Sequence, residues 1–61
     1  MEITLKAARA NKNLSRKEAC KLLGISEFTL KSYEDGKTQP TIDMGRLISK
    51  VYEIPLDNIK F

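Results

Sequence analysis

The chain has no histidine and no tryptophan, one cysteine, three glycines and two prolines among 61 residues. Without imidazole there is no histidine base, no histidine metal ligand and no side chain that ordinarily titrates between about pH 5 and 8. One cysteine closes no internal disulfide and builds no zinc site. Cys20 lies in the run Ala19-Cys20-Lys21-Leu22-Leu23 and reads as a small buried side chain rather than a reactive thiol. A lone unpaired cysteine suits a reducing cytoplasm, which is the expected location. No apolar run is long enough to span a bilayer, no signal peptide opens the chain, and Met1 reads as a native start.

These absences exclude most chemistry. No base, nucleophile pair or metal cluster is in the sequence, so no enzyme, metal, cofactor or small-molecule substrate is expected. A chain this short makes one marginally stable domain, residues 1–61, with no room for a deep pocket. A hydrophobic content of 41 % still supports a core and argues against wholesale disorder.

What the chain does have is an uneven charge. Residues 1–39 carry eight Lys or Arg against five acids, whereas residues 40–61 carry three of each. The whole surplus of +3 therefore sits in the first two thirds, a weak pointer to a polyanionic partner.

The punctuation is regular, and no repeat, low-complexity stretch or linker interrupts it. Leu5, Ala8 and Arg9 follow helical spacing, which predicts a first helix over about 2–12 with Asn13 in a left-handed end. Ser15 and Glu18 form a capping box, so a second helix starts at Arg16 and stops at Gly24. Ser26 caps a third helix, with Leu30 and Tyr33 inward and Gly36 at its end. Thr41 caps a fourth, with Met44, Leu47, Ile48 and Val51 on one face and Gly45 as a weak point. Pro55 opens a short fifth over Leu56–Ile59. Strand-like alternation is absent, so the expected fold is all-α, a compact bundle of five short helices.

The informative unit is the pair of short helices joined only by Gly24-Ile25-Ser26, about residues 15–36. So short a connection forces a steep crossing, the geometry of a helix-turn-helix or of an ordinary helical corner. Ala19 and Cys20 are small enough for close contact there, and Ile25 supplies an apolar plug.

Leu14-Ser15-Arg16-Lys17-Glu18-Ala19-Cys20-Lys21-Leu22-Leu23-Gly24-Ile25-Ser26 resembles the helix-turn-helix of the phage repressor and Cro family, the XRE family of regulators. Tyr33-Glu34-Asp35-Gly36-Lys37-Thr38-Gln39-Pro40 resembles its "I-E-N-G-K-x-x-P" segment, and Ile54-Pro55-Leu56-Asp57-Asn58-Ile59 its "V-S-L-D-E-L" ending. The resemblance covers about residues 3–61. It implies a five-helix DNA-binding domain, lambda-repressor-like, with the third helix in the major groove. Base contacts would come from Glu27, Phe28, Lys31 and Ser32. Phosphate contacts would come from Ser15, Arg16, Lys37, Thr38 and Gln39. A structural ion pair would join Arg9 to Glu34. Glu27 can accept from cytosine N4, Phe28 can rest on a thymine methyl, and Lys31 can reach guanine or a phosphate.

Three features depart from the family pattern. Segment 26–36 sets Lys31 against Glu27, Glu34 and Asp35, a net of −2, although Glu34 is assigned to Arg9. Asp35 stands where Asn is commoner, and Leu22 where a polar residue is. The leading functional expectation is a transcriptional regulator, a repressor of the phage or mobile-element type, occupying double-stranded operator DNA as a homodimer. The helix-five region with Ile59 and Phe61, and the loop before helix four, are the candidate dimer surfaces. The alternative is a protein-interaction module of the same fold, an antitoxin or anti-repressor, using Phe28, Leu22 and the acidic third helix.

Overall fold

The computed structural model describes residues 2–61, and Met1 lies outside the described residues. Four α-helices carry the fold: α1 (Leu5–Asn11), α2 (Arg16–Leu23), α3 (Glu27–Glu34) and α4 (Ile42–Tyr52). Each starts at a hydroxyl that accepts from a backbone N–H of the first turn. Thr4, Ser15, Ser26 and Thr41 accept from Ala7, Glu18, Thr29 and Met44 at 3.1 to 3.2 Å. Ser15 also donates its own N–H to Glu18 Oε1 at 3.0 Å, which completes the capping box. These hydrogen bonds hold the Glu18 carboxyl below its ordinary pKa.

Each helix is closed by a left-handed residue: Asn13, Gly24, Gly36 and Glu53, with φ of 58°, 71°, 75° and 55°. The residue that follows then donates its N–H back into the last turn. Leu14 reaches the Arg9 carbonyl at 3.3 Å, Ile25 that of Cys20 at 3.2 Å, Lys37 that of Ser32 at 3.0 Å and Ile54 that of Ser49 at 3.1 Å. At Gly24 and Gly36 the conformation suits a residue without Cβ.

The fold is not all-α, and the fifth helix is not an α-helix. Glu2-Ile3-Thr4 does not belong to α1, because Thr4 is its cap; Ile3–Thr4 forms strand β1 instead. Pro55 precedes a single 3₁₀ turn, Leu56–Asn58, closed by Asn58 N–H to the Pro55 carbonyl at 2.9 Å. The chain then extends as β2 (Ile59–Lys60) and pairs in parallel with β1, Ile3 opposite Ile59 and Thr4 opposite Lys60. Three residues are too few for an α-helical turn to propagate, and the β-branched side chains at both ends favour extended backbone. The two-residue ladder ties the end of the chain to its beginning.

The core lies between α2, α3 and α4, where Ala19, Leu23, Leu30, Ile48 and Tyr52 are buried, and α1 closes it with Leu5 and Ala8. Ile59 is also buried, at 5 % exposure, so it is unavailable as a dimer contact. Phe61 is half-buried and packs against this core. Tyr52 extends the α4 stripe beyond Val51 and is the largest fully buried side chain.

Gly45 sits inside α4, where an added Cβ would meet Leu56 Cδ1 at 3.5 Å and Phe61 Cζ at 3.6 Å, ordinary van der Waals distances. Gly45→Ala should therefore gain helix propensity without a clash, about 1 kcal/mol. In a domain of this size that raises the melting temperature by about 4–8 °C. Thermal unfolding followed by circular dichroism checks it, and a lower melting temperature would contradict it.

Candidate nucleic-acid interface

The geometry of the interface starts at the α2–α3 corner. Gly24 turns the chain in the left-handed region, Ile25 packs against the core, and Ser26 caps α3 at once. The small residues at the crossing, Ala19 and Cys20, are both buried. Burial pushes the Cys20 thiol up in pKa, the direction of an unreactive side chain.

With Leu30 buried and Tyr33 half-buried, α3 turns Glu27, Phe28 and Lys31 to solvent. Phe28 is 82 % exposed. Among the described residues Lys31 forms no ion pair with Glu27 one turn earlier, so its ammonium is free. Ser32 lies at the edge of this face and is half-buried. Its Oγ accepts from Thr38 Oγ1 at 3.0 Å, which pins the loop after α3 to the helix. A shallow cleft of about 140 Å³ runs between them, lined by Phe28, Lys31, Ser32, Asp35 and Lys37. Two of these side chains are cationic and one is acidic.

The residues expected at phosphates divide into two groups. Lys37, Thr38 and Gln39 are exposed on the loop between α3 and α4. Ser15 and Arg16 stand at the N-terminus of α2, where Ser15 is engaged as the helix cap and Arg16 is half-buried. The loop and the α2 terminus flank α3 in sequence, and the Thr38–Ser32 hydrogen bond brings the loop against it.

Beneath this surface is a charged cluster. Arg9 Nε donates to Glu34 Oε2 at 2.8 Å and Arg9 Nη1 to the Leu14 carbonyl at 2.9 Å. The side chains of Arg9 and Glu34 are 13 % and 3 % exposed. The bond to Glu34 raises the Arg9 pKa further above its already high value. Arg16 Nε approaches the same carboxylate, 3.9 Å from Oε1. Tyr52 carries its hydroxyl into the protein without a hydrogen-bond partner among the described residues. Its burial, aided by the Glu34 charge, pushes the phenol up to about 12.

Sequence spacing finds the Arg9–Glu34 pair only through the family resemblance, since 25 residues separate the two. It does not reveal that Arg16 shares the carboxylate, that Thr38 bonds Ser32, or that Lys12 just after α1 pairs with Glu53 after α4. Tyr52 was within reach of the pattern, because it follows Ile48 by one turn. Ile42 also had a signal: it is apolar yet out of phase with the α4 stripe, and it is 73 % exposed.

Arg9→Ala would strand a buried carboxylate on α3 and free the Leu14 carbonyl, at a cost of about 3–5 kcal/mol. That loss is of the order of a small domain's entire stability. Denaturant unfolding should give a protein largely unfolded at room temperature. A variant melting within about two degrees of the parent would contradict the pair's structural role.

Comparison with known proteins agrees with this geometry. Residues 5–59 match the helix-turn-helix family, a span from the first residue of α1 to the first of β2. Over 59 residues the chain is 32 % identical to an uncharacterised HTH-type transcriptional regulator of Methanocaldococcus jannaschii, covering 97 % of this chain and 89 % of that protein. With its corner at Gly24–Ser26 and its buried α2–α3 contact, the chain belongs to the XRE-type helix-turn-helix family of DNA-binding proteins.

Proposed function

We propose that the protein is a sequence-specific transcriptional regulator, a repressor of the small repressor or Cro type known from phages and mobile elements. It occupies an operator and blocks polymerase without chemistry. The observation that carries this reading is the exposed face of α3. Glu27, Phe28 and the unpaired Lys31 stand out from a helix otherwise anchored by Leu30, next to a cleft that ends at Lys37. An α-helix fits the major groove, and residues on its outward N-terminal side meet base edges. Lys37, Thr38, Gln39, Ser15 and Arg16 supply donors for phosphates on either side. The similar regulator from Methanocaldococcus jannaschii supports the same assignment.

The repressor acts as a homodimer. The molecule measures 27 × 23 × 19 Å, and successive major-groove faces are about 34 Å apart, so one copy covers one half-site. The second copy packs on an exposed apolar cleft of about 190 Å³ that Ile42, Leu56 and Phe61 share with the loop residues Gln39 and Pro40. This surface replaces the buried Ile59 and keeps the loop before α4 as a contact. Leu22 and Phe28, both exposed, would serve a protein partner in the alternative reading, an antitoxin or anti-repressor. The two lysines of the α3 cleft favour DNA over such a partner.

Two experiments test the reading, each on the DNA immediately upstream of the protein's own coding sequence. A dimer neutralising about six phosphates should lose affinity with a slope near −5 in log K against log salt. Lys37→Ala should flatten that slope and weaken binding to all sequences alike; affinity indifferent to salt would remove DNA as the partner. Lys31→Ala should lose about 1–3 kcal/mol of discrimination at one base position and leave the others intact. Equal weakening on operator and random DNA, read by gel shift, would make Lys31 a phosphate contact.

A further inference from the structure

The Glu34 carboxylate faces two arginines, and only one of them is needed to neutralise it. Arg9 consumes its guanidinium inside the protein, with Nε and Nη2 on Glu34 at 2.8 and 3.5 Å and Nη1 on the Leu14 carbonyl. Arg16 is different. Its Nε is buried without a hydrogen-bond partner among the described residues and lies 3.9 Å from Glu34 Oε1, a distance at which charge acts but no hydrogen bond forms. The side chain as a whole keeps 38 % exposure. The buried Nε thus faces the carboxylate while the side chain remains partly in solvent, at the first residue of α2.

We propose that Glu34 is a positioning residue for the DNA backbone, acting through Arg16; this rests on the DNA-binding reading above. A free arginine surrenders much rotamer entropy when it grips a phosphate. Here Glu34 attracts Nε and fixes the side chain beforehand, at the first residue of α2, while part of the side chain stays open to solvent. Arg9 makes the arrangement workable. By neutralising Glu34 it leaves the cluster with a net positive charge and keeps the carboxylate from holding Arg16 against a phosphate. The buried end of α3 and the phosphate contact on α2 are then one unit, so the ion pair that stabilises the fold also orders the interface.

A double-mutant cycle in DNA affinity tests this, with Glu34→Gln, Arg16→Ala and the double variant measured by fluorescence anisotropy on the upstream duplex. Circular dichroism at the assay temperature verifies that each variant is folded. Removing an acidic charge from a DNA-binding protein ordinarily tightens binding. The positioning role demands the opposite: Glu34→Gln weakens binding about fivefold in the parent and changes it less than about twofold in the Arg16→Ala background. Tighter binding by Glu34→Gln, or the same loss in both backgrounds, would overturn the proposal and leave the DNA reading standing. Should Glu34→Gln fail to fold, Arg16→Lys decides. It keeps the charge but lacks the planar fork, so it should bind as weakly as Arg16→Ala with an unchanged melting temperature. Parental affinity in Arg16→Lys would overturn the proposal. A parent protein that binds no DNA would overturn both readings together.

Discussion

One buried carboxylate holds this domain in register. Glu34, the last residue of α3, is joined to Arg9 on α1 and approached by Arg16 on α2. Three of the four helices converge on that group, and the Leu14 carbonyl between α1 and α2 is tied to the same arginine. In so small a domain this pair, with the buried Leu30, holds α3 against α1 and the core. Stranding either charge would cost more than most single substitutions elsewhere in the chain. The exposed side chains of α3 inherit their direction from this anchor.

The rest of the architecture brings the ends of short helices under control. Each helix has a hydroxyl at its start and a left-handed residue at its end, so little is left to propensity, which is weak in helices of seven to eleven residues. The same devices set the interface. Gly24 sharpens the corner between α2 and α3, and Gly36 ends α3 so that Lys37 N–H returns to the Ser32 carbonyl. Thr38 then bonds back to Ser32, so the cationic loop is held beside α3 rather than left to sample space.

Local chemistry made the four helices readable: Ser15 with Glu18, Ser26, Thr41, Gly24 and Gly36 each act within a few residues of where they stand. The resemblance of three motifs supplied what local spacing could not, the partnership of Arg9 with Glu34. The two ends of the chain were misread for a common reason. Ile3 and Ile59 acquire extended structure by pairing with each other across the whole sequence, and neither segment alternates long enough to announce a strand. Arg16 escaped as a partner of Glu34 because its role depends on the crossing of α2 over α3. Ile59 looked like an exposed apolar contact because the ladder that buries it is likewise a tertiary event. The outward positions Glu27, Phe28 and Lys31 were legible from the inward phase of Leu30 and Tyr33.

The central claim is that the outward face of α3, with Arg16 and the loop after it, is where DNA docks. Amide chemical-shift mapping by NMR tests it directly, with the labelled protein titrated with the duplex upstream of its coding sequence. The account predicts the largest changes over residues 15–17, 27–32 and 37–39, with Leu5, Ile48 and Tyr52 little affected. Changes confined to the cleft of Ile42, Leu56 and Phe61, or no changes at all, would contradict it.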